Sequence, residues 1–128
     1  MPAPEILMVD DNPGNLKLLS FILEKLGYQV RLAKDAEQAL AILEHTRPRL
    51  ILMDIQLPGM DGLELTRRLK SDPAYRDIVI VAVTAFAMKG DEQKAKDAGC
   101  DGYVTKPIDT RLMPALIERY LGPPPVRA

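Results

Sequence analysis

Five short apolar runs alternate with five stretches of helical periodicity, and this alternation constrains the fold more than any single motif. The runs are EILMV (Glu5–Val9), YQVRLA (Tyr28–Ala33), LILM (Leu50–Met53), IVIVAV (Ile78–Val83) and GYVT (Gly102–Thr105). Several are continuously apolar rather than alternating, the pattern of parallel strands covered on both faces. Between them Leu16, Leu19, Ile22, Leu23 and Leu26 recur at helical spacing. Ala36, Ala39, Leu40 and Leu43 follow, then, less cleanly, Leu63, Leu65, Thr66 and Leu69. Strand–helix alternation with short connections implies an α/β sheet with right-handed crossovers.

Punctuation supports the same division. Asn12 is placed to cap the first helix, with Pro13 at its opening position and Gly27 just past its end. Asp35 is placed to cap the second, and Arg47–Pro48 closes the connection after it. Asp61 and Gly62 read as turn and cap for the third. Gly99 ends the fourth stretch, Met88 to Ala98. The fifth runs from about Asp109 to Leu121, but Pro114 lies too deep for a free first-turn position, so a distorted or delayed start is expected. Residues 1–121 then read as one domain, and GPPPVRA at 122–128 as a tail or a linker cut short.

Composition excludes several function classes. Seventeen basic and 18 acidic side chains give a net charge of −1, which argues against a nucleic-acid binder working by bulk electrostatics. No apolar run approaches the roughly 20 residues that span a bilayer. The opening MPAPEILMVDD lacks the basic start of a signal peptide. A single cysteine, Cys100, allows no internal disulfide, so a reducing, cytoplasmic setting is the expectation.

The acids sit at strand ends. Asp10 and Asp11 follow the first run, and Asp54 follows the third. In doubly wound sheets, ligands bind outside the carboxyl ends of the strands, where strand order reverses. In the order 2-1-3-4-5 the first and third strands are neighbours, and the three acids converge. Three carboxylates so close repel one another unless a cation neutralises them, and an all-oxygen set suits Mg²⁺. Thr84 follows the fourth run as a hydroxyl donor, and Lys106 follows the fifth as a point charge able to pair with a phosphoryl group. Taken singly, each of these residues reads as a helix cap, a strand residue or a surface charge; their joint placement reverses that reading.

The elements VDDN, LMDIQLPGMDG, VTAFA and YVTKP, at these separations, resemble the receiver domain of two-component response regulators over essentially the whole chain. LILMDIQLPGMDGLELT and VAVTAFAMKGDE resemble single-domain receivers of the DivK type in particular. The resemblance implies a flavodoxin-like (βα)5 fold, a five-stranded parallel sheet with helices on both faces. It implies that Asp54 accepts a phosphoryl group from a histidine kinase or histidine phosphotransfer protein. Asp11, Asp54 and the Gln56 backbone carbonyl would bind Mg²⁺, for which Mn²⁺ could substitute, with Asp10 acting through water. Lys106 would bridge to the acid and to the phosphate, and the bond to Pro107 would be cis. Thr84 and Tyr103 would form a switch, read by a protein partner on the surface of the fourth helix, fifth strand and fifth helix.

Such a protein is a phosphoacceptor that promotes its own phosphorylation and dephosphorylation rather than an enzyme. It would be a monomer or weak dimer, without direct nucleic-acid or membrane binding. Alternatives are a receiver fragment of a larger regulator or hybrid kinase and, more remotely, a haloacid dehalogenase-like phosphatase with Asp10 as nucleophile. Position 12, where that class has a second acid, is Asn. An FMN carrier on the same fold fits poorly, because the first loop is acidic where it should cradle phosphate. Gln56 and Phe86 are the positions expected to tune phosphate lifetime, and Met60 to pack beside the site. His45 reads as a cation near the end of the second helix, Cys100 as a small packing residue, and KGDEQKAKD as a solvated helix face.

Overall fold

A computed structural model describes residues 5–55, 61–84, 90–105 and 109–122. In chain order the elements are β1 (Glu5–Val9), α1 (Pro13–Lys25), β2 (Gln29–Ala33), α2 (Ala36–Leu43), β3 (Leu50–Asp54), α3 (Gly62–Lys70), β4 (Val79–Thr84), α4 (Asp91–Ala98), β5 (Gly102–Thr105) and α5 (Met113–Leu121). The strands form one parallel sheet in the order β2-β1-β3-β4-β5. This is the α/β sheet expected from the alternation, in the flavodoxin-like form that the resemblance implied.

Side-chain alternation along the strands builds two cores. Ile6, Met8, Leu50, Leu52, Val81 and Val83 face α1 and α5, where they meet Leu16, Leu19, Leu23, Met113 and Ile117. Leu7, Val9, Ile51, Met53 and Ile80 face the other way, against Ala36, Ala39, Leu43, Leu65 and Leu69 of α2 and α3. Every residue of β3 is buried, and its inner neighbours β1 and β4 are nearly so. That explains their unbroken apolar sequence. Each fully buried Leu or Ile contributes about 1.5–3 kcal/mol, and the three central strands share that burial with the helices packed on them. β2 is an edge, with Gln29, Arg31 and Leu32 exposed, and correspondingly mixes polar with apolar residues.

The expected caps form. Asn12 Oδ1 accepts from the amides of Gly14 (2.9 Å) and Asn15 (3.2 Å), and Asp35 accepts from the Gln38 amide at 2.8 Å. Asp61 accepts from the Leu63 amide at 2.8 Å.

Several boundaries differ from the sequence reading. α5 starts at Met113, not about Asp109, because Pro114 is tolerated only in a first turn; residues 109–112 form turns instead. α4 starts at Asp91, because Gly90 has φ +95°, which no right-handed helix accepts. Met88 and Lys89, assigned to that helix from sequence, lie outside the described residues. Finally, β3 and β4 run one residue further, taking in Asp54 and Thr84, since ladder pairing Asp54↔Val83 and Thr84↔Thr105 uses backbone groups whatever the side chain.

Candidate functional site

β1 and β3 are adjacent and parallel, with Val9 opposite Met53. β1 leads on to β2 on one side, whereas β3 begins the series that runs the other way, so the gap beyond their carboxyl ends is the switch point of the sheet. Asp10 leaves β1 there, held by its own amide donating to the Ala33 carbonyl at 3.0 Å. Its carboxylate accepts from the Asn12 amide at 2.9 Å. Asp54 ends β3, and Asp11 stands exposed on the first residue of the loop's outer side.

Carboxylate oxygens of Asp10, Asp11 and Asp54 all lie within 4.8 Å of one another. Asp10 is 7% exposed and Asp54 3%, so two of the three acids are taken largely out of water. Their floor is apolar, made by Met8, Leu19, Leu52 and Val83. Crowded like charges over a low-dielectric floor are costly, and a bound cation removes that cost. The donor set is all oxygen, with one acid open to solvent. It fits a hard divalent ion of the Mg²⁺ kind, which binds few carboxylates and keeps several waters.

Two further expected site residues lie among the described residues. Thr84 is fully buried at the end of β4. Tyr103 is half-buried, opposite Ala82 in the ladder, and packs with Leu63, Ala82, Ala95 and Ala98. Thr105 pairs with Thr84, so Thr84 and Tyr103 project to the same face of the sheet, one diagonal step apart. Gln56, Met60, Phe86, Lys106 and Pro107 fall outside the described residues.

One contribution to the site was read only as a turn residue. Gly62 begins α3 so close to the acid's own backbone that a Cβ there would collide with the Asp54 carbonyl oxygen and with Ile55 Cα. Its amide donates to the Ile55 carbonyl at 3.3 Å, and its carbonyl accepts from the buried Thr66 hydroxyl at 2.9 Å. The absent side chain thus lets the helix press against the strand end and fix Asp54 from behind. Asp61–Gly62 signals a turn in sequence; nothing local signals the close approach.

Other residues behave as expected. Cys100 packs against two cores with its thiol 3.9 Å from the Thr66 hydroxyl, and burial raises its pKa. His45 lies exposed just past α2. Glu92, Lys94, Lys96 and Asp97 of α4 face solvent, with Lys96 4.0 Å from Glu92 one turn away. No helix among the described residues is long and apolar enough to cross a membrane.

A doubly wound sheet with carboxylates clustered at its switch point defines a class: flavodoxin-like α/β domains whose clustered acids suit a hard cation. Within that class, the chain belongs to the response regulator receiver domain family, whose model matches residues 6–118. It is 44% identical over 117 residues to the polar-differentiation response regulator DivK of Brucella anthropi, covering 91% of this chain and 95% of that one. The same protein of Brucella ovis is equally similar. Among solved structures, the receiver domain of a sensor histidine kinase of Pseudomonas aeruginosa, which carries a magnesium ion in its active-site cleft, superposes with TM-score 0.84 at 37% identity. That match covers 94% of this chain and 98% of the other. A CheY-like receiver of Methanospirillum hungatei gives 0.84 at 32% identity, covering 91% and 92%. Membership of this family, a component of two-component signalling, sets aside the dehalogenase-like and FMN-carrier alternatives.

Proposed function

We propose that this receiver accepts a phosphoryl group on Asp54 and signals the change through a protein-binding surface. The observation that carries the reading is the position of Asp54: buried at the end of a central strand, with two more carboxylates within 4.8 Å at the switch point. In the transfer, an Asp54 oxygen attacks phosphorus and the P–N bond to the donor histidine breaks. The imidazole leaves with the electron pair and takes up a proton. Asp11, Asp54 and the Gln56 carbonyl would hold Mg²⁺ or Mn²⁺, with Asp10 positioning a coordinated water. The ion when bound draws charge from the phosphoryl oxygens. Lys106 would pair with the same oxygens, and Thr84 would donate a hydrogen bond to one of them.

Phosphorylation adds close to two negative charges, enough to bias a two-state surface. Thr84 and Tyr103 are suited to carry that bias, since they share a sheet face. The surface of α4, β5 and α5 would meet the downstream protein, and a histidine kinase or phosphotransfer protein would supply the phosphate, in the cytoplasm. Residues 1–121 would form the working domain, monomeric or weakly dimeric, with 122–128 a tail. A second reading, a receiver that is one part of a larger regulator or hybrid kinase, is supported by the likeness to receivers of sensor histidine kinases; the transfer chemistry is unchanged under it.

Incubation with acetyl phosphate and Mg²⁺, followed by intact mass, tests the proposal. One hydroxylamine-labile adduct is expected, dependent on the divalent ion and missing in Asp54→Ala. An adduct that survives Asp54→Ala overturns it.

A further inference from the structure

The two ends of α4 are built differently. Its first end rests on Gly90, at φ +95°, which supplies no side-chain cap and, among the described residues, has no heavy atom within 4 Å of where a Cβ would stand. Its last end is closed. Gly99 at φ +104° donates to the Lys96 carbonyl and Cys100 to the Ala95 carbonyl, each at 3.0 Å, satisfying two terminal acceptors. Lys70 of α3 lays its methylene stem against Gly99, where a Cβ would stand 2.9 Å from Lys70 Cγ.

The Lys70 ammonium then uses all three of its protons. It donates to the Ile78 carbonyl (2.8 Å), the Arg76 carbonyl (3.2 Å) and Asp101 Oδ2 (2.8 Å). The same Asp101 oxygen accepts from the Ile80 amide at 2.9 Å, and the Asp101 amide donates to the Ile80 carbonyl at 2.7 Å. One cation, only 18% exposed, thereby ties the last turn of α3, the start of β4 and the α4–β5 turn into a single joint.

We propose that Lys70 and Asp101 form a fixed pivot for α4. Loading of Asp54 would swing the helix about residues 99–101, with displacement growing toward the Gly90 end. Lys70 is thus a positioning residue: it decides which part of the α4–β5 face moves. The inference rests on Asp54 as acceptor, so the experiment reads the two separately.

Intact mass first establishes the acetyl phosphate adduct on the full chain, on Lys70→Met, which keeps the stem, and on Asp101→Asn, which keeps an acceptor for Ile80. Hydrogen exchange is then followed by mass spectrometry with and without the adduct. In the unaltered chain, loading is expected to change exchange at 91–95 and leave 99–101 within about twofold. Both variants should form the adduct to the same extent. They should exchange at 96–103 about tenfold faster when unloaded, and loading should now alter that segment too. The pivot is overturned if 99–101 responds to loading as strongly as 91–95 in the unaltered chain, or if both variants keep its pattern. Should no chain form an adduct, the reading of Asp54 fails by itself. Unloaded exchange then decides the joint alone: an unchanged rate at 96–103 in both variants overturns it.

Discussion

The two ends of the sheet treat charge in opposite ways. At the carboxyl end three carboxylates crowd within 4.8 Å, two of them buried. At the amino end one buried-stem lysine meets three acceptors, and its anionic partner is bonded again by a strand amide. The first arrangement is tolerated by the fold for what it can bind; the second holds the fold together. Polar groups in one molecule therefore divide by whether like or opposite charges are brought together, and substitutions at the two ends should move stability in opposite directions.

The sharpest break of that contrast is chemical. Asp54→Ala should remove the acetyl phosphate adduct altogether while the chain stays folded, as read by intact mass and circular dichroism. A mechanical break comes next: Gly62→Ala pushes a methyl group into the Asp54 carbonyl and should cost about 3 kcal/mol in urea unfolding. At the amino end, Asp101→Ala leaves the Ile80 amide and the Lys70 ammonium short of an acceptor. A loss of about 2 kcal/mol is expected, most of it from the amide, because Asp101 is 41% exposed and its ion pair is screened. Asp10→Asn should do the reverse and stabilise the metal-free chain by about 1 kcal/mol, by thinning the like charges. Adding Mg²⁺ should raise the melting temperature of the unaltered chain and close that gap.

The smallest effect concerns an exception at the amino end. Tyr28, next to β2, buries its hydroxyl with no hydrogen-bond partner among the described residues. Burial first, then Glu118, raises its pKa above 10.0. Its contribution to stability is whole below the unfolded value and is lost as pH rises through the higher folded one. Tyr28→Phe should stabilise by about 0.5–1 kcal/mol near neutrality and flatten the alkaline fall of a pH–stability curve.

Much of this was legible from the chain. The five runs gave five strands because a doubly covered parallel strand must be apolar throughout, and Asn12, Asp35 and Asp61 cap as read because capping is local chemistry. Strand order places Asp10, Asp11 and Asp54 together, so their convergence followed from topology and position. The start of α5 was half visible: Pro114 announced a delay but not its length. Gly62 against Asp54 and Lys70 against Asp101 were invisible, since residues eight and 31 apart in sequence meet only through how α3 lies on the sheet. Periodicity marks which face of a helix is apolar, not how near its axis comes to a strand.

The bare α-carbon at position 62 also limits redesign. Anyone recoding the α3 surface would be free to alter its outward residues, yet could not thicken its first turn. The smallest added group there would act as a wedge on the peptide unit of Asp54, shifting its carboxylate without altering any of the three clustered acids. A signalling defect mapped to that position would read as chemical in an assay and be steric in origin.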